Sequence, residues 1–147
     1  MEIERKFLIE HCPYNLEDYP VLAMEQGYLS TDPVVRIRKE NEDYFLTYKS
    51  KGLLAREEYN LPLTKESFAH LLKKIDGNLI RKKRYLIPFS ETLTIELDLF
   101  QDQLFPLQLA EVEFQSEEEA LSFIPPSWFG KEVTYETTYH NSTLSQK

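Results

Sequence analysis

Glu2, Glu4 and Lys6 occupy alternate positions near the start of the chain, with Ile3 and Phe7 at the intervening parity. Successive side chains of an extended strand point to opposite faces, so this spacing sets two carboxylates and an amine side by side, with apolar residues behind them. If both faces are covered, the charged one looks into a wet, enclosed space. A hard divalent cation is the natural occupant of a space walled by carboxylates.

The same spacing recurs along the chain. Arg36 and Arg38 flank Ile37, and Lys49 closes the run Tyr44, Phe45, Leu46, Thr47, Tyr48. Arg56 and Glu58 flank Glu57, Lys82 and Arg84 flank Lys83, Glu96 and Asp98 flank Leu97, and Glu111 and Glu113 flank Val112. One such pair alone reads as the solvated face of a half-exposed sheet. Here the pairs are sorted by sign, and like charges on one strand face are tolerated only when water or a counter-charge separates them. Sorted pairs suit a ligand carrying both signs, a polyanion held together with a metal ion.

The 147 residues amount to one domain able to bury a real core, and the net charge of −8 argues against nonspecific binding to nucleic acid or anionic membrane. Cys12 stands alone, no Cys/His spacing suggests zinc, and no signal-like or membrane-spanning run is present, so a soluble, cytoplasmic protein is expected. His11, His70 and His140 share no ligand spacing, and Trp128 with Phe129 reads as corner packing.

Strands are predicted over 2–9, 23–29, 34–40, 43–50, 55–61, 79–87, 92–99 and 109–115, with a tight hairpin at Asn41 and Glu42. From Thr64 the period changes: Phe68, Leu71, Leu72 and Ile75 mark an amphipathic helix that Thr64 caps and Gly77 ends. A second helix starts at Ser116 with a capping box to Glu119, buries Ala120, Phe123 and Ile124, and stops at Pro125 and Pro126. Tyr135, Tyr139 and Leu144 lie at helical spacings, which suggests a closing helix over 134–147. The expected fold is a single α+β domain over 1–147, an eight-stranded antiparallel β-barrel with a charged interior and helices on its apolar outer face. Tyr28 is either strand packing or a phenol pointing into the lumen.

In order and spacing this series of charged pairs resembles the CYTH family, the triphosphate tunnel metalloenzymes, over almost the whole chain, and most of all its short stand-alone bacterial inorganic triphosphatases. The resemblance implies a tunnel in which carboxylates bind Mg2+ or Mn2+ and basic groups hold a linear triphosphate. Glu2, Glu4, Glu111 and Glu113 are the implied metal ligands, with Glu58, Glu96 and Asp98 as additional or water-mediated ones. Lys6, Arg36, Arg38, Lys49, Arg56, Lys82 and Arg84 are the implied substrate-binding cations. Asn60 stands where many relatives carry a second Glu, which predicts a weaker second metal.

Hydrolysis of tripolyphosphate to diphosphate and phosphate needs charge neutralisation at the transferred phosphoryl group and in-line placement of water. Arg forks, Lys point charges and carboxylate-bound metal supply the first. Water activation falls to a metal-bound hydroxide or to Lys82 acting with a depressed pKa. Two alternatives remain open: an enzyme of organic triphosphates, such as a thiamine triphosphatase or class IV adenylate cyclase recruiting Tyr28, Tyr48 or Tyr85, and a polyphosphate-binding module. The expected partner is a small polyanion, tripolyphosphate, without nucleic acid or membrane; a homodimer is left open.

Overall fold

Strands with one charged and one apolar face can hide both only by curling, and the sheet does so. In the computed structural model, which describes all 147 residues, the strands are β1 (Glu2–Leu8), β2 (Val21–Thr31), β3 (Val34–Glu40), β4 (Asp43–Lys49), β5 (Ala55–Arg56), β6 (Glu58–Pro62), β7 (Asp76–Pro88), β8 (Thr94–Phe100) and β9 (Gln108–Glu113). They pair antiparallel throughout in the order β5-β1-β9-β8-β7-β2-β3-β4-β6. The helices are α1 (Lys65–Leu72), α2 (Glu117–Ser122) and α3 (Asn141–Leu144).

The strand expected over 55–61 is two strands, and the division closes the barrel. β5 pairs with β1 and β6 with β4, so the two ends of the sheet are separated by Glu57 alone. Its backbone N–H donates to Ser50 Oγ at 2.9 Å and its carbonyl accepts from Ser50 N–H at 3.0 Å. That exchange satisfies the main chain where it changes partners. Nine strands therefore replace the expected eight. The Asn41–Glu42 hairpin is as expected: Asn41 takes a φ of 52°, which Asn tolerates, and its Oδ1 accepts from Ala23 N–H at 2.9 Å.

Both long helices end earlier than their apolar spacing predicts. Thr64 caps α1 through Ser67 N–H, but the helix stops at Leu72. Ile75 prolongs the stripe because it lies against Gly27, where a Cβ would come within 2.8 Å of it. Gly77 belongs to β7 instead of ending α1; its φ is +72°, and a Cβ there would come within 2.5 Å of Ser145 O, which explains why it is glycine. In α2, Ser116 Oγ accepts from Glu119 N–H at 3.1 Å, while the Glu119 carboxylate reaches Gln115 N–H rather than that of Ser116. Phe123 is extended and buried, which turns Ile124 outward to 82% exposure and corrects its expected burial.

The apolar faces of β1, β9, β8 and β7 meet α2 outside the barrel, in a cluster of Ile3, Phe7, Ile95, Leu97, Val112 and Phe123 among others. Arg5 pins this layer: its guanidinium donates to both oxygens of Glu132 at 2.8 and 2.7 Å and to the carbonyls of Ala120 and Phe123 at the end of α2. The second face of the sheet is less uniform than expected. Along the interior parity the residues change from charged to hydrocarbon: Glu4, Lys6, Leu8 on β1; Glu113, Glu111, Leu109 on β9; Arg84, Lys82, Ile80 on β7. Tyr28, Ile80, Phe100, Leu109, Val133 and Leu144 form a second apolar cluster at that end. The tail closes it with a 3-10 turn (Thr137–Tyr139) and the short α3 instead of one helix over 134–147. Leu144 is buried there, whereas Tyr135 is exposed.

Leu97, fully buried in the outer layer, and Leu121, 73% exposed on α2, give opposite expectations. Leu97→Ala should lower the free energy of urea unfolding by about 2 to 5 kcal/mol, and Leu121→Ala should change it by no more than about 0.5 kcal/mol.

Candidate active site

A cavity of about 290 Å³ fills the charged part of the barrel. Interior residues of β1 (Glu2, Glu4, Lys6), β3 (Arg36, Arg38) and β4 (Lys49) line it. Arg56, Glu58, Arg84, Glu96, Glu111 and Glu113 complete the wall from β5 to β9. The barrel thus brings together every residue singled out from the sequence except Lys82 and Asp98.

Sheet register decides which charges meet. Glu2 faces Arg56, Lys6 faces Glu111, Lys49 faces Glu58 and Arg84 faces Asp98 as cross-strand neighbours. Each is an ion pair, at 3.6, 3.4, 3.4 and 2.7 Å respectively. Lys49 also reaches Glu2 at 3.0 Å, and Arg84 reaches Glu96 at 3.1 Å and Glu111 at 3.4 Å. Burial alone would raise the Glu111 carboxyl, but Lys6 and Arg84 hold it well below the usual range.

Two carboxylates stand outside this pairing. Glu4 and Glu113 are cross-strand neighbours, and neither makes an ion pair within 4 Å. Burial, with Glu111 and Glu2 adding repulsion, pushes Glu4 up to about 8. Burial raises Glu113 as well, together with Glu2, Glu96 and Glu58. Glu96 and Glu113 also border an outer recess beside Thr92, Thr94 and Gln115, so this carboxylate end faces solvent. The donors are all oxygen, and no three acidic, His or Cys side chains converge into a closed cage. An oxygen set of that kind fits a hard divalent ion such as magnesium.

At the opposite wall two cations lack a close buried carboxylate. Arg36 donates to Thr47 Oγ1 at 3.2 Å, and its Nε has no partner. Arg38 donates from Nε to Gln26 Oε1 at 2.8 Å and from Nη1 to Glu40 at 3.3 Å. Burial, aided by Arg36 and Arg84, pulls Arg38 down to about 10. The cavity is therefore polarised, with carboxyls that lack a cationic partner at Glu4 and Glu113 and surplus positive charge along β3.

Lys82 and Asp98 take a different place from the one their spacing suggests. Both side chains are fully buried beneath the cavity wall, 2.7 Å apart. Burial, with Arg84 and Arg38 nearby, pulls the Lys82 amine down to about 7. The Asp98 oxygens are taken by Lys82 and by two nitrogens of Arg84, at 2.7 and 2.9 Å, leaving no oxygen turned to the cavity. Asp98 thus clamps Arg84, and Lys82 is paired to that clamp, with its Nζ 3.5 Å from Oδ1 of Asn141 in the cavity wall.

Some functional positions carry no charge, and spacing alone did not single them out. Gln26 and Thr47 are fully buried partners of Arg38 and Arg36. Thr47 also joins Asn60, whose amide donates to Glu58 at 3.3 Å. Their only sequence signal is strand parity: Thr47 and Asn60 lie opposite each other, as do Gln26 and Arg38. Tyr28 serves both roles considered for it, lining the cavity and packing in the apolar end. His140, Asn141 and Ser142 of the tail complete the wall.

The CYTH domain family matches residues 1–134. The inorganic triphosphatase of Nitrosomonas europaea is 41% identical over 147 residues, covering 98% of this chain and 96% of that protein. The inorganic triphosphatase of Acetivibrio thermocellus is 36% identical over 150 residues, covering 97% and 92%. The crystal structure of the inorganic triphosphatase NE1496 superposes with a TM-score of 0.73 at 38% identity, over 100% of this chain and 95% of that one. With its barrel, its sorted charges and this family match in agreement, the chain belongs to the CYTH domain family.

Proposed function

We propose that this chain hydrolyses inorganic tripolyphosphate to diphosphate and phosphate inside its barrel, using magnesium or manganese held at the Glu4 and Glu113 end. The polarised cavity carries the reading: surplus carboxylate at one end for the metal, surplus guanidinium along β3 for the anion. Full-length similarity to inorganic triphosphatases supports the same reaction. Such a cation, held by Glu4 and Glu113, would supply Lewis-acid withdrawal of charge from the transferred phosphoryl group.

The chain's own residues do the positioning. Arg36 and Arg38 present forks suited to phosphate oxygens. Lys6, paired with Glu111, Lys49, paired with Glu2 and Glu58, and Arg56, paired with Glu2, would exchange those partners for phosphate as the anion enters, and the carboxylates so released would be free to hold metal. Arg84, clamped by Asp98 and Lys82, keeps a fixed direction throughout.

The lining favours an inorganic substrate over a nucleotide or thiamine ester. Only Tyr28, Val34 and Phe45 are apolar among its residues, too few to clamp a ring from both sides. Tyr48 stacks on Tyr59 outside the barrel and Tyr85 packs against the outer core, so neither can be recruited. No helix is long and apolar enough to cross a membrane. A cytoplasmic location is part of the same proposal. The domain spans 1–147, and the tail acts as its closing element. Lys6 Nζ donates to Tyr139 O at 3.3 Å and Leu144 fills the apolar end, so the tail is tied to the catalytic barrel.

Purified protein should release phosphate from tripolyphosphate faster than from ATP, with magnesium or manganese present, and lose that activity in chelator. Phosphate-release assays over both substrates decide it, and cyclisation of ATP without tripolyphosphate cleavage would sink the reading.

Glu113→Gln should raise the metal concentration required for half-maximal rate, so that excess metal restores part of the activity. Arg38→Ala removes a charge-assisted contact worth about 1.5 to 3 kcal/mol, and its roughly tenfold or greater rise in KM should persist at any metal concentration. Identical responses of the two variants to a metal titration would contradict the division of the cavity.

Burial, together with Lys6 and Arg56, pulls His140 from 6.5 down to about 4. The unfolded chain then takes up this proton first, so the contribution of neutral His140 to stability is present above pH 6.5 and drains away as pH falls toward 4. In metal-free protein, His140→Gln should therefore lose less thermal stability than the parent between those two pH values, as read by circular dichroism melts.

A further inference from the structure

Every cation of the cavity region except two is held by a carboxylate whose side chain is no more than 9% exposed. The exceptions, Arg36 and Arg38, are neighbours on β3, and neutral oxygens orient them: Thr47 Oγ1 for Arg36 and Gln26 Oε1 for Arg38. Glu40, the one acid near Arg38, is 29% exposed and 3.3 Å away at the rim.

Gln26 is costly to the folded protein. It is fully buried, yet only its carbonyl oxygen is used, and its Nε2 has no hydrogen-bond partner. A buried donor left unmade destabilises a fold. Glutamate has the same reach, would satisfy Arg38 Nε equally well, has no orphan donor and would offset the crowding of Arg38 by Arg36 and Arg84. Beside a guanidinium already buried and crowded by other cations, the acid would thus remove an orphan donor and add a counter-charge. What the amide preserves is the charge of Arg38: an amide fixes the guanidinium in place, whereas a carboxylate 2.8 Å away would also neutralise it.

We propose that Gln26 is a positioning residue for substrate binding, one that orients Arg38 toward the cavity while leaving its positive charge available to a phosphate group. The inference rests on the triphosphatase reading, because only an anionic ligand gains from an unneutralised guanidinium. Thr47 plays the same part for Arg36 from β4. The two strands flanking β3 thus each supply one uncharged acceptor, in register with the arginine it holds.

Two variants and two measurements test it: unfolding in urea, and calorimetric binding of tripolyphosphate in chelator, where no turnover interferes, at several salt concentrations. Gln26→Glu should be at least as stable as the parent, bind tripolyphosphate at least tenfold more weakly and show a shallower dependence of affinity on salt. Gln26→Met, which keeps volume but loses the acceptor, should bind more weakly while retaining the parent's salt dependence. Opposite movement of stability and affinity in Gln26→Glu is the signature that a packing role cannot produce. Parent-like affinity in Gln26→Glu, or parallel losses of stability and affinity in both variants with the salt dependence unchanged, would overturn the proposal. A parent protein that binds no tripolyphosphate would overturn the underlying reading, and the proposal with it.

Discussion

Everything in this barrel depends on one electrostatic constraint: charges removed from bulk water must be paired, or wait for a partner. Lys6, Lys49, Arg56, Lys82 and Arg84 meet the constraint inside the protein, each against a carboxylate on a neighbouring strand. Antiparallel register makes the pairing systematic, because residues opposite one another on the interior face carry opposite signs at Glu2 and Arg56, Lys6 and Glu111, and Lys49 and Glu58. At Glu4 and Glu113, which the register sets side by side with no cation between them, burial raises both carboxyls, aided by Glu111 and Glu2 at the first and by Glu2, Glu96 and Glu58 at the second. An unpaired buried charge marks the position where a ligand of opposite sign contributes most.

The remaining structure gives that charged interior its walls and its floor. The outer apolar faces join α2 in one packed layer, with Arg5 spanning β1, the end of α2 and Glu132. At the inner end, hydrocarbon replaces charge at Leu8, Ile80, Phe100 and Leu109, and the tail's Leu144 completes the seal. The boundary between the two regimes is the Lys82–Asp98 pair. Its full burial is compatible with stability because the Asp98 oxygens are shared with Arg84, so no charge there lacks a hydrogen bond. A dry floor also lowers the effective dielectric around the cavity, strengthening the contacts a polyanion makes.

Strand alternation and charge sorting were legible from residue types, since both follow from the period of two in an extended chain. The hairpin at Asn41, the cap at Thr64 and the burial of Phe123 were equally local. Less legible was anything set by where a chain turns. A continuous run over 55–61 gives no sign that Glu57 changes partners from β1 to β4, because that depends on the far edge of the sheet arriving there. Gly77 reads as a helix stop until Ser145 O is found against it.

For this chain, then, the order and sign of its residues determined a barrel with a charged interior and named most of the cavity's lining, because covalent spacing alone assigns each side chain to a face. Tertiary structure decided how that interior is divided. Lys82 and Asp98 share the parity of the lining residues, yet they sit below the cavity, since depth along the barrel is fixed by strand stagger and not by alternation. Gln26 and Thr47 became visible as holders of Arg38 and Arg36 only through cross-strand register, because an uncharged side chain has no signature until its partner is placed beside it.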